Sequence, residues 1–170
     1  MLKLAIPNMF TFGNLTCGIL SIIMTFQGNY MWACLFILIA GIMDRYDGRI
    51  SRFLNVSSDL GKELDSLADL VSFGVAPALL MFELNHFALL GIIGYILVLI
   101  FPLAGAYRLA RYNSTTFNNV FFGIPITAAG MFIALYSLIM MNRSTTPTIS
   151  IILLISLSYL MISRLQIKKI

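Results

Sequence analysis

Apolar residues run through this chain in six blocks separated by short polar breaks. The blocks cover residues 7–27, 30–53, 62–84, 86–109, 120–141 and 148–165, and some reach full length only with their polar ends included. A helix needs about 20 predominantly apolar residues to cross the hydrocarbon of a bilayer. The last block is the shortest of the six. Gly28-Asn29, residues 83–86 and residues 142–147 carry the Gly, Asn and Pro that punctuate helices, and they read as tight turns. No internal repeat or low-complexity tract interrupts the pattern. It predicts an all-α integral membrane protein, a six-transmembrane-helix bundle in a single domain over residues 1–170.

Composition sharpens the picture. The chain is 59% hydrophobic and 11% charged, against about 25% charged in an ordinary soluble domain, and its mean hydropathy is +0.93. The net charge of +4 is spread over the ends of apolar blocks. That placement fits anionic lipid and topology control and argues against a nucleic-acid partner. With a cytoplasmic N-terminus, the inner side carries Lys3, Arg45, Arg49, Arg52, Lys62, Arg108, Arg111, Arg164, Lys168 and Lys169, and the outer side carries Arg143. This asymmetry puts both termini inside the cell. Residues 1–6 and the first apolar run lack the features of a cleavable leader. Cys17 and Cys34 lie inside apolar blocks and read as packed free thiols.

One stretch breaks the apolar rule. Residues 41–74 hold six of the seven acidic residues and four of the eleven basic ones. Asp44, Asp47, Asp65 and Asp69 fall within or beside apolar helix, where a carboxylate costs about 2.5–3.5 kcal/mol at the span centre. Asp44 and Asp47 are i and i+3, and Asp65 and Asp69 are i and i+4, so each pair shares a helix face. The polar elbow at 55–59 makes the two helices antiparallel neighbours, with both pairs at the elbow end. Four carboxylates then converge at the cytoplasmic ends of helices 2 and 3. Alone they repel one another. A hard divalent cation relieves this, and Mg²⁺ or Mn²⁺ suits an all-oxygen set completed by substrate phosphates. Four aspartates can hold two ions about 3.5–4 Å apart. Zinc is disfavoured, because the one histidine, His86, lies at the other membrane face. The competing reading pairs the aspartates with Arg45, Arg49 and Arg52 as structural ion pairs. Gly48 and Gly61 flank the acidic positions and permit close backbone approach, by a nucleotide or simply by another helix.

The stretch 44–69 reads DRYDGRISRFLNVSSDLGKELDSLAD. It closely resembles the signature of the CDP-alcohol phosphotransferases, D-x2-D-G-x2-A-R-x8-G-x3-D-x3-D, through Asp44, Asp47, Gly48, Arg52, Gly61, Asp65 and Asp69. Ser51 stands where the family usually has alanine. Ile6-Pro7-Asn8 with Thr11 and Gly13-Asn14, the run from Glu63 through Pro77, Arg108-Leu109-Ala110-Arg111-Tyr112-Asn113, and Phe122-Gly123-Ile124-Pro125-Ile126 look like the bacterial and archaeal branch that uses serine.

That resemblance implies a six-helix bundle, usually a homodimer, in the plasma membrane of a prokaryote, with a short N-terminal helix along the interface. It implies two divalent ions on Asp44, Asp47, Asp65 and Asp69, with Asp69 as general base. It implies that Asn8, Thr11, Gly48, Arg52, Ser58 and Gly61 hold the CDP-lipid. The reaction expected is transfer of a phosphatidyl group from CDP-diacylglycerol to L-serine with release of CMP. Arg108 and Arg111 are candidates for the acceptor carboxylate or a phosphate, or else for positive-inside anchoring. Glu63 could hold the serine ammonium, or pair with Lys62; Tyr112 and Asn113 are weaker candidates. Two alternatives stand beside this reading. A sister enzyme would take glycerol 3-phosphate or an inositol phosphate, and a divalent-cation transporter would line a path with carboxylates through the full membrane thickness.

Overall fold

The computed structural model describes residues 2–53, 58–114, 121–142, 147–163 and 166–167, with the side chains of 2–7, 121–122 and 166–167 left aside. Among the described residues the chain is a bundle of helices: α1 (Leu2–Phe26), α2 (Tyr30–Phe53), α3 (Asp59–Asp69), α4 (Ala76–Leu84), α5 (Ile92–Ser114), α6 (Ile126–Met140) and α7 (Pro147–Ile162). A π-helical turn, Leu70–Val75, joins α3 to α4 into one rod. The only departures from an all-α fold here are two dipeptide strands. β1 (Phe121–Phe122) and β2 (Gln166–Ile167) pair antiparallel, Phe121 opposite Ile167.

The helix boundaries follow local chemistry. α1 and α2 meet at a three-residue turn, residues 27–29, where Gly28 takes φ +74, a conformation that costs glycine little. Residues 2–6 continue into α1 without a break, so the separate interfacial helix implied by the resemblance is part of the first rod. The α4–α5 turn extends past the expected 83–86. His86 (φ 51) and Gly91 (φ 59) bracket a 3₁₀ turn, Phe87–Leu90, and α5 starts only at Ile92. α6 begins later than position 120, because Gly123 (φ +72) and Pro125 occupy the approach. Most of the elbow at 55–59 and of the turn at 142–147 lies outside the described residues, as do Arg143, Arg164, Lys168 and Lys169; the side chain of Lys3 is not described.

By length and composition, Asn8–Phe26, Asp59–Leu84 and Ile92–Ser114 can each cross a membrane. α6 and α7 are apolar but have 15 and 16 residues, or about 23 Å at 1.5 Å per residue. α2 has 24 residues, with charges along its second half. Phe73, Phe101, Ile133, Met81, Leu154 and Met161 form the packed interior. Leu99, Leu103, Ile93, Phe132, Ile139 and Ile152 project outward. Apolar residues inside and outside together are what a lipid solvent permits.

The π turn sits at the centre of this packing. Pro77 supplies no N–H to the helical ladder, and the wider bonding, Ala76 N–H to the Val71 carbonyl, spans the gap. Two glycines let neighbouring helices press against this turn. A Cβ built at Gly18 of α1 lies 2.8 Å from Ser72 Cα, and one at Gly130 of α6 lies 2.6 Å from the Phe73 carbonyl oxygen. Both obstacles are backbone or close to it, so neither yields easily. Gly130→Ala is therefore expected to destabilise the fold by about 1–3 kcal/mol. Thermal unfolding in detergent should show a drop of several degrees, at about 2–4 °C per kcal/mol.

Candidate active site

The sequence pattern places two carboxylate pairs on two helices, and the bundle draws most of them together. Oxygens of Asp44 on α2 and of Asp65 and Asp69 on α3 all lie within 4.8 Å of one another. Asp69 is buried, and the other two are half-buried. Asp47, one turn along α2 from Asp44, is buried but stands outside this trio. It accepts a hydrogen bond from the Thr11 hydroxyl of α1.

Neighbouring helices fix these side chains. Asn14 Nδ2, on α1, donates to Asp69 Oδ1 at 3.0 Å. The Ser72 hydroxyl, in the π turn, donates to the Asn14 carbonyl at 2.9 Å. The Thr127 side chain, at the start of α6, hydrogen-bonds Asp44. Asn14 entered the sequence reading only as part of a resembling dipeptide, and Thr127 did not enter it. Each touches the site across a long sequence separation that helical periodicity does not report.

The structural ion-pair reading fails on geometry. Arg45, Arg49 and Arg52 are exposed, and Arg52 turns back to donate from Nε to the Gly48 carbonyl at 2.8 Å. Among the described residues, the ion pair seen within 4 Å is Lys62 with Asp59, at 3.6 Å and exposed. Lys62 therefore does not pair with Glu63. Glu63 instead accepts from Asn113 at 3.3 Å, and Asn113 also donates to Ser66 at 3.0 Å. This polar contact ties the end of α5 to α3 at the open end of the site.

The two arginines of α5 separate. Arg111 donates to the Ile162 carbonyl at the end of α7 at 3.1 Å and lies 5.9 Å over the Tyr107 ring. A cation at a helix C-terminus satisfies orphan carbonyls and the helix dipole, so Arg111 serves the packing of α5 on α7. Arg108 is only 9% exposed, close enough to Asp69 for their charges to interact. Its Nε is buried without a hydrogen-bond partner. An unmet donor of that kind in a native interior calls for a ligand or an ion.

The positions expected to hold the CDP-lipid cluster beside the carboxylates. Ser58 caps α3, its oxygen accepting from Gly61 N–H at 3.0 Å; its hydroxyl proton is still available to a phosphate. A Cβ on Gly61 would lie 3.6 Å from Asn8 Oδ1, so Asn8, Ser58 and Gly61 adjoin. Thr11 is one turn further along α1, engaged with Asp47. Gly48 is exposed, its nearest neighbour the guanidinium of Arg52.

The residues present fit a divalent cation: oxygen donors only, gathered from two helices, with no lysine or arginine bonded to them among the described residues. Cys17 and Cys34 are free thiols outside this set.

The chain is similar to known proteins over most of its length. A family profile described as CDP-alcohol phosphatidyltransferase matches residues 4–162. A Bacillus subtilis (strain 168) protein named CDP-diacylglycerol–serine O-phosphatidyltransferase is 38% identical over 95% of this chain and 88% of its own. A Helicobacter pylori (strain J99) protein of the same name is 39% identical, over 76% of this chain and 55% of its own. A Methanothermobacter thermautotrophicus protein named archaetidylserine synthase is 32% identical over 96% of this chain and 69% of its own.

Three carboxyl groups held this close resist ionising together until a cation joins them, and that resistance destabilises the fold. Asp65→Asn removes one of them. It is expected to raise the unfolding midpoint of protein kept in chelator at neutral pH by a few degrees, at about 2–4 °C per kcal/mol. An unchanged or lower midpoint contradicts the assignment of this cluster as uncompensated.

Proposed function

Because the chain belongs to the CDP-alcohol phosphatidyltransferase family, we propose that it makes phosphatidylserine, transferring the phosphatidyl group of CDP-diacylglycerol to L-serine and releasing CMP. The observation that carries this reading is the gathering of Asp44, Asp65 and Asp69 beside buried Arg108, whose Nε has no hydrogen-bond partner. The serine acceptor rests on the names of the relatives.

Asp44, Asp47, Asp65 and Asp69 would hold two Mg²⁺ or Mn²⁺ ions. When bound, such ions neutralise charge on the donor pyrophosphate and on the departing CMP. Asn8, Thr11, Gly48, Arg52, Ser58 and Gly61 receive the CDP group. Arg52 is the residue suited to a phosphate, as a planar fork of donors. Asp69 takes the proton of the serine hydroxyl as that oxygen bonds to the lipid-side phosphorus. The bond from this phosphorus to the bridging oxygen breaks, and the electron pair leaves with CMP. The base must stand within about 3 Å of the hydroxyl, directly or through one water. Arg108 binds the serine carboxylate beside Asp69. Arg111 is already committed to the α7 carbonyl.

The described basic side chains Arg45, Arg49, Arg52, Lys62, Arg108 and Arg111 occupy the ends of α2, α3 and α5 that carry the site. Together with the charges at the chain ends, this supports six membrane crossings with site and termini facing the cytoplasm of a prokaryotic cell. There the lipid donor presents its head and serine is dissolved. The family resemblance supports a homodimer. A transporter reading needs carboxylates across the whole membrane thickness. Here they gather at one end.

Purified protein should release CMP from CDP-diacylglycerol only when L-serine is supplied, and not with glycerol 3-phosphate or an inositol phosphate. Release with one of those alcohols instead of serine contradicts the acceptor assignment. Asp69→Asn is expected to lower the rate about 10²–10⁴-fold, the range of a lost general base, while the protein stays folded. Arg108→Lys should raise the KM for serine and leave the KM for CDP-diacylglycerol unchanged.

A further inference from the structure

α1 presents a buried polar stripe to the rest of the bundle: Thr11, Asn14, Ser21 and Thr25. Ser21 and Thr25 have their hydrogen bonds met by backbone carbonyls, at 2.9 Å each. Asn14 differs. It is fully buried, and its Oδ1 has no hydrogen-bond partner. Half of its amide is thus unmet in the interior, which destabilises the fold relative to an apolar side chain of similar size. Packing does not account for an asparagine here. Among the described residues, the one bond its side chain makes is to Asp69.

The backbone beneath that bond is held closely. Ser72 donates to the Asn14 carbonyl, and Gly18 lets α1 approach the turn that follows Asp69. The amide of Asn14 therefore has a set height and direction relative to Asp69 Oδ1. Among the described residues no donor reaches the second oxygen, Oδ2. Three residues earlier on the same face, Thr11 holds Asp47 of α2 in the same manner. One helix thus orients an aspartate from each arm of the acidic pair.

We infer that Asn14 is a positioning residue for the transfer reaction: its amide fixes one oxygen of Asp69 so that the other faces the acceptor hydroxyl. This rests on the proposed role of Asp69 as the base. Asn14 itself touches no reacting atom, and its contribution is kept apart from substrate binding. A small misplacement of a reacting group can cost about 10²-fold in rate.

The test uses the full chain in detergent with Asn14→Leu, Asn14→Gln and Asp69→Asn. Asn14→Leu is expected to remain folded with a cooperative unfolding transition, although Asp69 Oδ1 loses its donor, and to keep its affinity for Mn²⁺ measured by calorimetry. It should hold the KM for both substrates while losing kcat by up to about 10²-fold. Asn14→Gln keeps an amide donor on a longer arm and should retain more kcat than Asn14→Leu. Parental kcat in Asn14→Leu overturns the inference. So does a raised KM at unchanged kcat, which makes Asn14 a binding residue, and so does failure of both Asn14 variants to fold, which makes it structural. Asp69→Asn separates the two levels. If it keeps its turnover, the reading of Asp69 fails and this inference falls with it. If it is inactive while Asn14→Leu is fully active, only the role of Asn14 is lost.

Discussion

Like charges brought together at the edge of a low-dielectric medium repel strongly, and a fold that gathers them must hold them by other means. Here the holding is done from outside the acidic pair of helices. α1 supplies Thr11 to Asp47 and Asn14 to Asp69, and α6 supplies Thr127 to Asp44. The π turn after Asp69 is gripped by Gly18 and Gly130. The packing of four helices, α1, α2, α3 and α6, is thereby tied to three carboxyl groups. The same packing that fixes the charges forgoes their neutralisation by arginine, which leaves them for a cation and a phosphate.

The gathering of charge and the lipid environment are linked. A substrate with its chains in the bilayer and its head in water can be met only at the interface. An acidic site at the helix ends meets it there while the outward face of the bundle stays apolar. Arg108 lies one helix away, buried with an unmet donor beside the acidic centre. A cationic group next to an anionic cage suits an acceptor that carries both a hydroxyl and a carboxylate.

Much of this was legible in the chain itself. The run 30–53 is a helix with the expected bounds, and the spacings of the aspartates bring Asp44, Asp65 and Asp69 together, while Asp47, expected with them, turns to Thr11. What periodicity could not reach were contacts across the bundle. Asn14 and Asp69 are 55 positions apart, and three helices, α3, α4 and α5, lie between Asp44 and Thr127 in the chain. The two α5 arginines look alike in sequence, yet the end of α7 captures Arg111 and leaves Arg108. The α5 start was misplaced because a left-handed His86 and Gly91 insert a 3₁₀ turn where hydropathy alone sees continuous helix. Glu63 and Lys62, adjacent in sequence, point to different partners, because adjacent helical residues do not face each other.

The central claim is that the acidic cluster is a cation cage for a nucleotide diphosphate. The most direct measurement is anomalous diffraction at the manganese edge from crystals grown with Mn²⁺ and CDP. The account predicts manganese between Asp44, Asp65 and Asp69, in contact with the pyrophosphate of a CDP lying along Asn8, Ser58 and Gly61. Manganese bound elsewhere, or CDP seated away from these aspartates, would contradict it.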